Sequence, residues 1–231
     1  MKPNRKLAEA TTPDGGRLTL HEHDGNYCIR LSGQPLMHST VASSELLLGE
    51  LAVARLADQA NPCVLVGGLG LGFSLKSVLA KLGADATVHV AELIPQVVDW
   101  NRTFLAGLNG ALLDDARVEV FVEDVWDVLA RAGPDRYDAI LLDIDNGPTA
   151  MAHKPNARLY NPAGVRMMSA ALKPGGRAAF WSAAPDRVFA ATLSMIGFRV
   201  EAIPAKLYDK AKRCGCTIYV ADKPAMVRSA L

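Results

Sequence analysis

Four acidic residues and one glycine-rich run set out the chemistry available to this chain of 231 residues. The run is Val64-Leu65-Val66-Gly67-Gly68-Leu69-Gly70-Leu71-Gly72, and Glu92 follows twenty residues after its last glycine. Glycines at alternate positions leave the main chain bare, so a flat ligand can lie against it at a helix N-terminus. An acid at the tip of the following strand stands where a ribose presents two hydroxyls. Gly68, Gly70 and Gly72 spell G-x-G-x-G, whereas the dinucleotide fingerprint needs G-x-G-x-x-G, which no frame of this segment supplies. The second acid, Asp124, closes Val122-Glu123-Asp124-Val125 and is suited to cap a helix. Asp143 ends the apolar run that starts at Tyr137, and Asp145-Asn146 follow it. Ligands of open α/β sheets bind outside the carboxyl ends of the strands. Asp143 is therefore expected to point into a pocket, with Asp145 and Asn146 at its rim. A desolvated carboxylate there can serve as a general base.

The elements that must position these groups follow from the hydrophobic pattern. Strands are expected at 63–66, 87–91, 117–122, 138–142 and 176–181, with helices near 73–82, 95–106, 124–132 and 162–172. Such alternation argues for a parallel sheet covered on both faces. Pro174-Gly175-Gly176 reads as a helix stop, and Pro185 opens a further helix that runs to Ile196. The segments 198–202 and 217–221 are strands with no helix between them, so they should pair antiparallel. Ahead of this body, 17–20 and 27–31 read as strands joined at Asp24-Gly25-Asn26, with 1–15 as a loose lead-in and a helix over 44–59. The division expected is a small β element over 1–42 and a catalytic domain over 43–231.

Half of the residues are hydrophobic and 21% are charged, which fits a globular enzyme with a sizeable core. A net charge of +1 leaves no electrostatic footprint for nucleic acid, and the basic cluster from Lys206 to Arg213 reads as a solvated hairpin tip. No apolar run approaches the ~20 residues of a membrane span, and the polar start Met1 to Lys6 does not read as a secretory signal. A cytoplasmic enzyme is expected. Cys28 and Cys63 read as small hydrophobes, and Cys214-Gly215-Cys216 lacks the further ligands a metal needs. His21 and His23 share one face of a strand and read as an exposed pair; no metal site is expected.

Five parallel strands with a terminal antiparallel hairpin resemble the class I S-adenosylmethionine-dependent methyltransferase fold, a Rossmann-like seven-stranded sheet, over roughly residues 63–222. In that fold the acid at the position of Asp124 accepts from the adenine amino group. Gly67-Gly68, Glu92 near Val97-Val98, Asp124, Tyr137-Asp138, Asp143 with Asp145, and Leu159-Tyr160 before a helix further resemble the spermidine synthase family of polyamine aminopropyltransferases. The resemblance implies decarboxylated S-adenosylmethionine, or S-adenosylmethionine, as co-substrate, a small-molecule amine as acceptor, a place in polyamine biosynthesis, and a homodimer. It implies that Gly67, Gly68, Gly70, Gly72, Glu92 and Asp124 bind the donor, and that Asp143 acts on the amine, with Asp145 as its electrostatic partner. Tyr160 joins the catalytic candidates from the loop 147–160, which also carries His153, Lys154 and Arg158 and is placed to close as a lid. Three departures stand out. Gly70 replaces the family's loop aspartate, Ser43-Ser44-Glu45 lacks the tyrosine of its Tyr-x-Glu segment, and the aspartate-rich segment after 142 is short.

Two other functions are weighed against transfer of an aminopropyl group. The first is methyl transfer, although Asp143-Ile144-Asp145-Asn146 does not match N-P-P-Y and Trp181-Ser182 does not match the Asp-Asn pair of metal-dependent O-methylation. The second is a nucleoside-binding module without catalysis, which loss of the loop aspartate would permit.

Overall fold

A computed structural model describes residues 4–144 and 154–225. The chain opens with a four-stranded antiparallel sheet in sequence order, β1 (Arg5–Thr11), β2 (Arg17–His23), β3 (Asn26–Leu31) and β4 (Gln34–His38). Then come α1 (Ser43–Val53), β5 (Cys63–Gly67), α2 (Phe73–Lys81), β6 (Thr87–Ala91), α3 (Pro95–Arg102) and α4 (Ala106–Asn109). The second half adds β7 (Val118–Phe121), α5 (Val125–Arg131), β8 (Tyr137–Leu142), α6 (Pro162–Ala171), β9 (Leu172–Ser182), α7 (Arg187–Met195), β10 (Arg199–Ala205) and β11 (Cys216–Asp222).

The larger sheet has seven strands in the order β10-β11-β9-β8-β5-β6-β7. Strands β7, β6, β5, β8 and β9 run parallel, while β11 is antiparallel to both β9 and β10. This is the methyltransferase-like α/β architecture expected from the sequence. Every residue of β5 and β8 is buried, as aliphatic runs in a sheet covered on both faces must be. Alternation splits them between two cores. Val64, Val66 and Leu141 meet Leu48, Leu75 and Val97 on one face, and Leu65, Ile140 and Leu142 meet Val128, Val165 and Phe189 on the other. The small sheet adds Leu18, Leu20 and Ile29 to the first core.

Two strands were not legible in the sequence. Residues 5–11 are not a loose lead-in but β1, paired with β2 so that Ala10 faces Leu18. Its charged Arg5, Lys6 and Glu9 suit a sheet edge and mask the alternation that betrays a half-buried strand. Strand β4 carries Pro35, which a sequence reading counts against a strand and which an edge strand tolerates. Pro174-Gly175-Gly176 also lies inside β9 rather than before it, at the irregular start of its pairing with β8.

Candidate active site

Four strands of the large sheet end level. Gly67 lies opposite Ala91 on one side and Leu142 on the other, and Ala91 lies opposite Phe121. The ladder continues one residue further through Gly68 N–H to Ala91 O (2.9 Å), Glu92 N–H to Phe121 O (3.0 Å) and Asp143 N–H to Gly67 O (2.8 Å). Gly68, Glu92 and Asp143 therefore stand side by side just past the strand ends, at the point where the chain reverses its direction of travel across the sheet. A cleft opens there, lined mainly by apolar side chains with a few polar groups among them, as small-molecule sites are. Gly68, Gly70, Glu92, Asp124 and Asp143 all line it.

The glycine loop divides in two. Gly68 (φ 91°) and Gly70 (φ 50°) face the cleft in the left-handed region. Gly67 is buried in β5, where a Cβ would meet Leu142 at 2.7 Å, and Gly72 faces the side chains of Asn101 and Asn109. Both serve the packing of the loop and are not among the described cleft-lining residues. Asn101 holds the loop from α3 by donating to Gly70 O and Val97 O, each at 2.9 Å. A Cβ on Gly70 would lie 2.6 Å from the Met37 sulfur, so the place of a loop side chain is filled by a thioether from β4.

Glu92 is buried and oriented by main-chain amides, accepting from Leu69 N–H and Ile94 N–H, each at 2.9 Å. Burial raises its pKa, and the amide hydrogen bonds pull the other way. Asp124 caps α5, accepting from Trp126 N–H at 2.8 Å, and pairs with Arg158 at 2.8 Å. The Arg158 guanidinium in turn lies 4.6 Å from the centre of the Trp126 ring. Capping and cleft lining thus coexist at Asp124.

Asp143 accepts a short hydrogen bond from the Ser74 hydroxyl at the start of α2. Burial pushes its carboxyl up to about 6 while Ser74 pulls it back. Glu45, in the first turn of α1, is driven up to about 7, chiefly by burial and next by the Asp143 carboxylate. Its own Oε2 accepts from Ser44 Oγ at 2.6 Å. The structure thus brings together two carboxylates that lie far apart in the sequence.

Asp145, with Asn146 and His153, lies outside the described residues. Tyr160 is placed elsewhere than at the cleft wall. It is buried, with its ring 5.3 Å from Phe189 and 6.3 Å from Phe180, and it is not among the described cleft-lining residues. From the same segment it is Asn156 that reaches the cleft. The opposite wall comes from the small sheet, through Leu18, Ile29, Leu36 and Met37. Nothing in the spacing of those apolar residues separates a cleft wall from a core face, so sequence reasoning missed them. Ser74 is equally silent in the sequence, since a serine in a helix carries no signal of its partner. Among the described residues no group of histidine, cysteine or acidic side chains gathers as metal ligands, and no helix is long and apolar enough to cross a membrane.

No protein-family model matches the chain. It is 31% identical over 128 residues to a polyamine aminopropyltransferase of Mycobacterium tuberculosis, a match covering 54% of this chain and 23% of that protein. A polyamine aminopropyltransferase of Aeropyrum pernix is 30% identical over 113 residues, covering 49% of this chain and 35% of the relative. The chain thus spans about a quarter to a third of the length of the curated relatives it matches. Among solved structures, spermidine synthase from Thermotoga maritima superposes with a TM-score of 0.72 at 17% identity, over 96% of this chain and 74% of that one. A spermidine synthase in complex with the transition-state analogue AdoDATO gives 0.74 at 19% identity, over 96% and 75%. The chain thus has the fold of the spermidine synthases over nearly its whole length and is similar in sequence to polyamine aminopropyltransferases over about half of it.

Proposed function

We propose that this protein is a transferase that moves an aminopropyl group from decarboxylated S-adenosylmethionine to a small-molecule amine. The observation that carries the reading is the charge of the cleft. The charged residues among its described walls are Glu92, Asp124 and Asp143, all acids, and of these Asp124 is already paired with Arg158 behind it. S-adenosylmethionine ends in a carboxylate beside its amine, which such walls repel, whereas the decarboxylated donor ends in an ammonium alone. The same charge disfavours methyl transfer from the ordinary donor. The bare main chain at Gly68 and Gly70 fits the adenosyl part, with Glu92 toward the ribose and Asp124 toward the adenine.

A sulfonium donor supplies its own activated carbon and leaves as a neutral thioether. The protein's work is then to align the partners and to take a proton. The acceptor arrives as an ammonium with a pKa near 10. Asp143, raised to about 6, is a better base than an ordinary aspartate, and the apolar wall of Leu18, Ile29, Leu36 and Met37 lowers the pKa of an amine beside it. Asp143 accepts the proton, and the freed lone pair attacks in line with the carbon–sulfur bond. Asp145 is proposed as an electrostatic neighbour of this base. Residues 1–42 form a unit that walls the acceptor side, and 43–231 carry the donor site. All four cysteines are free thiols, which suits a reducing cytosol.

Incubation with each donor and a panel of amines tests the reading. Methylthioadenosine is the expected product. S-adenosylhomocysteine would establish methyl transfer instead, and neither product with any amine would leave a binding module.

A further inference from the structure

Two serines one turn apart on α2 face the first turn of α1. The helices touch here, because a Cβ on Gly49 would lie 2.6 Å from the Ser74 carbonyl oxygen and 2.8 Å from Ser77 Cβ. Ser77 Oγ donates to the Leu46 carbonyl at 2.6 Å. Ser74 Oγ has the matching acceptor, the Glu45 carbonyl, at 3.3 Å. The second contact is long because a hydroxyl owns a single proton, and Ser74 directs it at Asp143 Oδ2. Ser74 thus has two acceptors within reach and one hydrogen to give.

We propose that Ser74 is a positioning residue for Asp143, its hydroxyl donating to the ionised carboxylate and swinging to the Glu45 carbonyl when Asp143 holds a proton. The inference rests on Asp143 being the base of the proposed reaction. The proton that leaves the ammonium goes to Asp143 Oδ2. The new O–H donates to Ser74 Oγ, and the Ser74 hydrogen turns to the Glu45 main-chain oxygen, so no bond of Ser74 is made or broken. The nitrogen lone pair forms the new carbon–nitrogen bond, and the carbon–sulfur pair departs on sulfur. Asp143, half-buried at the cleft wall, is held in one orientation through both protonation states. Among the described residues, the other titratable groups around it are the Glu45 carboxyl from α1, Cys216 of β11 beyond Glu45, and Glu92 and Asp124 in the same cleft.

Ser74→Ala and Ser74→Cys test this together, the second keeping the shape of serine with a much weaker donor. Loss of the donor is expected to move the acid limb of the kcat/KM profile for methylthioadenosine release to higher pH by about one unit. Activity below pH 6 should fall about tenfold. Carboxyl carbon NMR of aspartate-labelled, ligand-free protein, assigned with Asp143→Asn, should show the same shift in the Asp143 titration in both variants. An Asp143 titration unmoved in both variants overturns the proposal even if the wild type makes methylthioadenosine. A shifted titration in a protein that makes none supports the role of Ser74 and removes the aminopropyl reading instead.

Discussion

Asp143 and Gly70 are the residues on which the proposed chemistry turns. Asp143→Asn keeps the shape of the side chain and removes the base. It is expected to lower kcat for methylthioadenosine release by at least about 100-fold, with methylthioadenosine binding measured by calorimetry little altered. A variant with wild-type kcat would show that another group takes the proton. Gly70→Asp would place a carboxylate in the loop, but the Met37 sulfur lies 2.6 Å from where its Cβ would stand. The single substitution should cost about 1–3 kcal/mol in urea unfolding. Much of that loss should be absent from the pair Met37→Ala with Gly70→Asp, which a double-mutant cycle reads directly. A full loss in the paired variant would place the strain in the loop backbone instead. These two residues also show what the sequence does and does not disclose. Asp143 was legible because an apolar strand ending in an acid has a fixed place in a parallel sheet. Met37 was not, because its meeting with Gly70 joins two sheets that no local pattern links.

Among the elements, α1 and β8 meet through a pair of carboxylates. Folding raises the pKa of Glu45 from its ordinary 4.5 to about 7 and that of Asp143 from 3.8 to about 6. The native state therefore binds protons more tightly than the unfolded chain between about pH 4 and 7, and stability falls as pH rises through that window. Glu45→Gln removes one of the two charges. It should stabilise the fold at pH 8 by on the order of 2 kcal/mol relative to its effect at pH 4, measured by denaturant unfolding at both values. An equal effect at both pH values would mean that the pair stays hydrated. The helix α3 has a different duty, since Asn101 ties it to the glycine loop. Asn101→Ala leaves the Gly70 and Val97 carbonyls without that donor and is expected to cost about 1–3 kcal/mol. Helix and strand periods made α2, β5, β6 and β8 readable almost to the residue, and α3 at its start, although it ends at Arg102 and not near 106. The buried asparagine was not readable, because a polar residue inside an amphipathic helix looks like part of its solvent face.

On the scale of the whole molecule, the small sheet and the large one share a core. Leu18, Leu20 and Ile29 sit in the same cluster as Val64 and Leu75. A chain starting at residue 43 is expected to expose that surface, melt at lower temperature and bind a hydrophobic dye, whereas an independent unit would melt unchanged. The parallel body of the large sheet and its antiparallel ending were legible, because strands joined through helices run parallel and strands joined without one pair antiparallel. The small sheet was half legible, since edge strands carry charge and proline in place of clean alternation. The level row of strand ends has a further consequence. Gly68, Glu92 and Asp143 are aligned by three main-chain hydrogen bonds, which nearly any side chain can leave undisturbed. The alignment of the acids is thus inherited with the backbone and not with the residues around it. Substitutions elsewhere in the chain need not disturb the row, in keeping with an overall fold shared at a TM-score of 0.72 with a spermidine synthase only 17% identical.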